Sequence, residues 1–132
     1  VNLLVELQRQ LHLTYLFIAH DLSMVRHLCD RVAVMYLGII VELSISHDLY
    51  QQPLHPYTRG LLASAPRRGA ANRGRLAAIP GSVPDPRRFP PGCRFHPRCP
   101  WRAGRCEMEE PALREIGPGR RAACHFPGGG KP

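Results

Sequence analysis

The sequence predicts an α/β fold in its first half and a loop-rich, cysteine-containing carboxyl-terminal extension in its second half. Residues 15–19 form an apolar run of strand composition that ends at His20 and Asp21; an amphipathic segment and a second, β-branched run follow. Residues 66–132 hold 14 of the 18 basic residues and most of the 14 prolines and 12 glycines, a composition typical of loops. Four of the five cysteines lie in this second half.

Leucines at helical spacing predict an amphipathic helix over residues 2–12, and residues 13–19 read as a short buried strand. Asp21 is expected to cap the next helix, because its carboxylate can accept the free amides of the first turn. The inner face of that helix is predicted to consist of Leu22, Val25, Leu28 and Cys29. Cys29 is therefore expected to be an ordinary core residue.

Two apolar runs, residues 31–36 and 39–43, are separated by Leu37-Gly38 and predict a β-hairpin. Ser46 is expected to cap a short helix that Pro53 ends.

Pro56 suits the first position of a further helix, predicted over residues 56–65. His55 is expected to pack against this helix or cap it rather than bind a ligand. Residues 67–92 have no periodicity that would bury a face and are predicted to be a linker.

The position of His20 makes it a candidate ligand contact. In open α/β sheets ligands bind beyond the carboxyl ends of the strands, and His20 directly follows a predicted strand.

Several segments resemble one known family. His20-Asp21, followed by a helix and by Asp-Arg-Val-Ala-Val-Met-Tyr-Leu-Gly at residues 30–38, resembles the switch-histidine region of ATP-binding-cassette (ABC) ATPases. His-Pro-Tyr-Thr at residues 55–58 resembles the carboxyl-terminal extension of oligopeptide and dipeptide (peptide/nickel) ABC importer ATPases. Residues 79–84 and 90–93 are also similar to that extension.

The resemblance implies a partial P-loop NTPase sheet-and-helix fragment at residues 1–52 and the transporter extension at residues 53–132. In the family, the matching histidine contacts the γ-phosphate of ATP, so His20 is the expected catalytic and ATP-binding residue, with Mg²⁺ as the accompanying ion. The implied partners are a second ATP-binding subunit, transmembrane permease subunits and, indirectly, an extracytoplasmic peptide-binding protein. The implied location is the cytoplasmic face of the plasma membrane. In the sequence itself, the longest apolar run, Val32 to Val41, is far shorter than the roughly 20 residues of a membrane-spanning helix.

No stretch of the sequence has the phosphate-binding pattern Gly-x-x-x-x-Gly-Lys-Ser/Thr, and the only lysine is Lys131. The glutamate that polarises the attacking water in this family is also missing before His20. The chain is therefore expected to be the carboxyl-terminal portion of a longer ATPase and to be inactive by itself.

The cysteine cluster, residues 93–124, contains Cys93, Cys99, Cys106 and Cys124. A reducing compartment argues against disulfides, and the absence of tight Cys-x2-Cys pairs argues against zinc. A 4Fe-4S cluster accepts more irregular spacing, and the family extension carries similar cysteines in some members. The predicted ligands of such a cluster are these four cysteines, with zinc or unliganded thiols as the alternatives.

Charged and imidazole side chains near these cysteines are expected to support a bound cluster. His96 and His125 are expected to substitute as ligands or to donate hydrogen bonds to sulfur. Six arginines are expected to offset the negative charge of a cluster: Arg94, Arg98, Arg102, Arg105, Arg120 and Arg121.

A different interpretation is a small metal-held, arginine-rich module that binds nucleic acid. Its stacking groups would be Phe89, Phe95, Trp101 and Phe126. It leaves residues 1–65 unexplained.

Overall fold

The structure is a computed structural model that describes residues 2–65 and 78–129. The helices in these residues are α1 (Asn2–Leu11), α2 (Leu22–Leu28), α3 (Ser46–Gln51), α4 (Pro56–Ser64) and α5 (Gly104–Met108), with a 3₁₀ turn at His96–Arg98. The strands are β1 (Arg31–Tyr36), β2 (Ile39–Ile45), β3 (Arg114–Gly117) and β4 (Arg120–Ala122).

Strands β1 and β2 form the predicted hairpin. Tyr36 pairs with Ile39 across the turn, and both turn residues have positive φ angles, 45° at Leu37 and 82° at Gly38. A turn of this hand matches the twist of the flanking strands. Strand β2 continues two residues beyond the predicted end, to Ile45.

The sheet joins parts of the chain that are distant in sequence. Its strand order is β1-β2-β4-β3, and all neighbouring strands are antiparallel. Glu42 pairs with Ala122 and Leu43 with Arg121, while the Ala123 N–H donates to the Val41 carbonyl at 2.9 Å. The hairpin and the cysteine-containing extension therefore share one antiparallel sheet, and the fold is a small α/β arrangement.

The apolar core lies on one face of this sheet. Alternate residues of β1 point inward, as expected for a strand with one buried face. The core residues are Val32, Val34, Tyr36, Val41, Leu49 and Phe95. The Phe95 ring meets the Tyr36 ring edge to face, with 5.2 Å between centroids, so an aromatic residue of the extension completes the core of the hairpin.

The predicted strand over residues 13–19 is wrong for this structure, because these residues form neither helix nor strand. Leu16 and Ile18 are 91% and 93% exposed. A buried parallel strand exists only when neighbouring strands satisfy its backbone, and no strand in the described part of the chain pairs with these residues.

The helix caps differ from one another in outcome. The Asp21 carboxylate accepts hydrogen bonds from the Ser23 and Met24 amides, which confirms the predicted cap of α2. The predicted cap at Ser46 is wrong: Ser46 is already inside α3, and Ile45 precedes the helix without a side-chain hydrogen bond. The Ser46 amide instead donates to the Asp30 carbonyl at 2.7 Å.

The predicted linker, residues 67–92, lies partly outside the described residues, at 67–77. Residues 78–92 form neither helix nor strand, yet Ile79 packs against the core beside α4. Among the helices described, none has the length and apolar character needed to cross a membrane.

Candidate functional site

The predicted ATP contact and the predicted metal ligands occupy separate places. His20 is exposed and directly precedes Asp21, the cap of α2. It does not line the cavity at which the cysteines meet. The structure therefore offers two candidate sites rather than one.

The four cysteines of the extension line one cavity. Cys93, Cys99, Cys106 and Cys124 share its wall with three histidines, His55, His96 and His125. The remaining lining residues are apolar or aromatic: Pro56, Trp101 and Phe126. Cys29 instead packs against the core from the end of α2, as the sequence predicted.

A close approach of two backbone segments shapes this cavity. The Cys93 amide donates to the Cys106 carbonyl at 2.8 Å, which joins the loop before the 3₁₀ turn to α5. Gly92 makes this possible: its φ is +65°, and a Cβ there would stand 2.5 Å from the Cys106 carbonyl oxygen. Glycine at this position therefore allows two of the cysteines to reach the same cavity.

Backbone amides point at the sulfur atoms. The Trp101 N–H donates to Cys99 Sγ and the Phe126 N–H to Cys124 Sγ, each at 3.4 Å. Backbone hydrogen bonds from Phe95 and His96 also lower the pKa of Cys93, although burial outweighs them. Hydrogen bonds of this kind stabilise sulfur that carries negative charge.

Without a bound cation, these thiols resist ionisation. Burial, with a smaller contribution from the neighbouring cysteines, raises the pKa of Cys99 and of Cys124 to about 11. Burial also raises the pKa of Cys93. Metal binding requires thiolates, so a bound cationic group would have to displace these protons.

The six arginines do not contribute the positive surroundings that the sequence suggested, because none lines the cavity. Three donate to backbone carbonyls elsewhere: Arg94 to Leu37, Arg98 to Ile79 and Pro80, and Arg120 to Gln52. Arg105 pairs with Glu109 at 2.7 Å. The N–H groups near the sulfur atoms come from the backbone instead.

His96 and His125 also differ from expectation, because each ring hydrogen bonds to a backbone carbonyl rather than to sulfur. His96 Nδ1 lies 3.0 Å from the Cys93 carbonyl oxygen, and His125 Nε2 lies 2.9 Å from the Glu109 carbonyl oxygen. Both rings therefore position backbone segments beside the cavity.

Sequence reasoning assigned His55 only to packing or capping, and the structure gives it both. Its Nδ1 accepts the Tyr57 amide at 3.0 Å as the cap of α4, and its ring is 1% exposed. Burial lowers the pKa of His55 to about 4, so the ring is neutral near pH 7. The ring also lines the cysteine cavity, which its sequence position did not suggest.

A buried glutamate fixes the segment before α4. Glu42, on β2, is fully buried, and its two carboxyl oxygens accept the Leu54 and His55 amides at 2.8 Å each. The pairing of β2 with β4 and this clamp together hold His55 beside the cysteines.

The thiols and imidazoles of the cavity are not arranged around a metal ion. Within residues 2–65 and 78–129, no three or more His, Cys, Asp or Glu side chains form a group that could hold one. Soft thiol donors of the kind that line the cavity are ligands for zinc and for iron–sulfur groups alike.

The aromatic residues of the nucleic-acid interpretation have other contacts. Phe95 is in the core, and the guanidinium carbons of Arg59 and Arg94 lie over the Trp101 and Phe89 rings at 5.0 and 4.5 Å. The described residues give that interpretation no support.

Comparison with known proteins yields one family. Residues 41–106 match the family model described as the oligopeptide/dipeptide transporter, C-terminal region. The oligopeptide transport ATP-binding protein AppF of Bacillus subtilis is 49% identical over 129 residues, which cover 96% of this chain and 39% of AppF. YkfD, also from Bacillus subtilis and also named for oligopeptide transport and ATP binding, is 48% identical over 96% of this chain and 39% of its own length. A Brucella ovis protein named for peptide import and ATP binding is 48% identical over 94% of this chain and 39% of its own length. The chain thus spans about 39% of the length of these relatives.

Proposed function

This chain belongs to the oligopeptide/dipeptide transporter C-terminal region family, and from that premise we propose that it is the carboxyl-terminal part of the ATP-binding subunit of an ABC importer for oligopeptides or dipeptides. The observation that carries the proposal is the identity of nearly half the residues to AppF, a protein named for this role, along almost the whole chain. The proposed location is the cytoplasmic face of the membrane, beside the permease subunits and a second ATP-binding subunit.

In the complete protein, His20 contacts the γ-phosphate of ATP bound with Mg²⁺. A neutral imidazole can donate one hydrogen bond to a phosphate oxygen, and such a bond contributes most where charge develops during hydrolysis. Asp21 caps α2 directly after His20, which fixes the backbone on which the imidazole stands.

A chimera tests this proposal. The part of AppF upstream of its aligned segment, joined to this chain at the aligned position, should hydrolyse ATP and restore oligopeptide uptake to Bacillus subtilis that lacks AppF. His20→Ala in the chimera should leave nucleotide binding nearly intact and lower turnover about a hundredfold. The matched control is His27→Ala, which removes an exposed histidine of α2. A folded chimera without ATPase activity, or equal turnover in both variants, contradicts the proposal.

We further propose that Cys93, Cys99, Cys106 and Cys124 hold a 4Fe-4S cluster. Their shared cavity and the backbone N–H groups that reach sulfur support it, and a four-thiolate zinc site is the alternative. Bound there, the cluster would tie α5, which carries Cys106, to the loop segments that carry the other three cysteines, in a region that buries few apolar side chains.

Iron analysis tests the cluster. Anaerobically prepared protein should be brown and contain about four irons and four sulfides per chain, as a 4Fe-4S centre requires. Serine in place of any of the four cysteines should remove most of the iron, whereas Cys29→Ser should not. Colourless protein with one zinc per chain would replace the cluster with a zinc site.

A further inference from the structure

His55 presents an unpartnered N–H in the wall of the cysteine cavity. Its Nδ1 accepts the Tyr57 amide at 3.0 Å. A ring nitrogen that accepts a hydrogen bond carries no proton, so the proton of the neutral ring is on Nε2. Among the described residues, Nε2 has no hydrogen-bond partner, although the side chain is 1% exposed and lines the cavity. Nε2 is not among the fully enclosed unpaired polar atoms of the described residues, which fits an N–H that faces the cavity rather than packed protein.

The other two histidines of this wall use their N–H groups elsewhere. A carbonyl oxygen can only accept, so His96 Nδ1 donates to Cys93 and His125 Nε2 donates to Glu109. Within the described residues that line the cavity, His55 is therefore the histidine with a donor free to serve a bound group.

The surroundings of His55 hold its ring in place. Glu42 accepts the His55 amide at 2.8 Å. The Phe95 ring packs against the imidazole with 5.6 Å between centroids, and the cap to Tyr57 fixes the rotation of the imidazole. A donor fixed in this way needs little reorganisation to meet an acceptor.

We propose that His55 Nε2–H donates a hydrogen bond to a sulfur atom of the group held by Cys93, Cys99, Cys106 and Cys124. This inference rests on the cluster proposed above. Such a bond stabilises the state with more negative charge on sulfur, so His55 raises the reduction potential of the bound cluster. The cap on α4 and the hydrogen bond to sulfur are separate roles of the two ring nitrogens.

Two substitutions separate these roles. In His55→Asn, the side-chain oxygen replaces Nδ1 as the cap, and asparagine is among the best capping residues, but no N–H extends to the Nε2 position. In His55→Gln, the longer side chain places an amide N–H near the Nε2 position and loses the cap. The Asn variant thus removes the proposed donor, and the Gln variant keeps it.

The experiment uses the full chain, loaded anaerobically with iron and sulfide and titrated with dithionite. The Asn variant should melt like the unaltered chain and hold the same iron, with a reduction potential lower by about 59 mV, equal to a tenfold change for one electron. The Gln variant should melt earlier and keep a potential near that of the unaltered chain. His96→Asn is the matched control, since asparagine can still donate to the Cys93 carbonyl, and its potential should not change.

The outcomes distinguish the two proposals. An unaltered chain that takes up no iron overturns the cluster and this inference together. An unaltered chain that takes up iron, with an unchanged potential in His55→Asn, overturns the inference alone and leaves His55 as a helix cap. Loss of iron in both His55 variants also assigns His55 a structural role only.

Discussion

Apolar side chains differ in exposure between residues 2–20 and the sheet that follows them. Helix α1 buries no residue, and Leu16 and Ile18 are almost fully exposed, whereas Val34 and Val41 of the sheet are buried. Among the described residues, β1 and β2 have strand partners, but no strand pairs with residues 13–19. An apolar pattern therefore indicates that a segment needs to be buried, while the rest of the chain decides whether it is buried.

The largest expected effect comes from metal removal, which should act on the extension and spare α1. We expect the iron-loaded chain to melt cooperatively and the iron-free chain to lose hydrogen-exchange protection in β3 and β4, since few apolar residues hold this part together. Exchange in α1 should be fast in both forms. Equal protection of β4 with and without iron would show that the extension folds by burial alone.

Glu42→Ala should have the next largest effect. It leaves the part-buried Leu54 amide and the buried His55 amide without acceptors, and two hydrogen bonds to a carboxylate together contribute about 3–6 kcal/mol. Denaturant unfolding measures the loss. Glu6→Ala, at an exposed position of α1, is the matched control and should change stability by less than about 0.5 kcal/mol. Similar small changes in both variants would mean that the clamp contributes little.

Gly92→Ala should cost about 2–3 kcal/mol, because alanine is strained at positive φ and its Cβ would meet the Cys106 carbonyl. The same experiment should show reduced iron uptake. Gly117→Ala serves as its control, since a Cβ there meets nothing within 4 Å. Normal iron uptake by Gly92→Ala would show that this turn is not required for metal binding.

The smallest expected effect on stability is that of Leu16→Ala, and Leu49→Ala is the same substitution at a buried position. Leu16→Ala should change the stability of this chain by less than about 0.5 kcal/mol, while Leu49→Ala should cost about 2–5 kcal/mol. In the AppF chimera, where upstream strands are present, Leu16→Ala should become costly. Thermal melts of the three variants, the unaltered chain and the unaltered chimera make the test. A chimera whose stability does not change with Leu16→Ala would show that residues 13–19 lack a sheet partner there too.

Local signals in the sequence predicted local structure well. The leucine spacing of α1, the Asp21 cap, the Leu37-Gly38 turn and Pro56 at the start of α4 each act within a few residues. The convergence of the four cysteines on one place also followed from their grouping in the sequence.

Features that depend on distant residues were not predicted. The pairing of β2 with β4 joins residues about 80 positions apart, and nothing in the sequence of either strand indicates the other as its partner. The role of His55 could be inferred only once the position of Glu42, the tautomer set by the Tyr57 amide and the lining of the cavity were known. One signal was present in the sequence: a histidine directly before a proline at a helix start is in the capping position, so one of its nitrogens is committed.

The central position of β2 limits where the gene could be divided without separating paired strands. A gene break after residue 52 would separate β2 from β4, and Glu42 from the two amides it accepts, leaving both pieces with unpaired backbone. A break upstream of Glu42 would keep this residue, its two amides and β4 in one piece, whereas a break at the start of α4 would divide them. The family model matches from residue 41, so the segment that it describes contains Glu42 together with both amides.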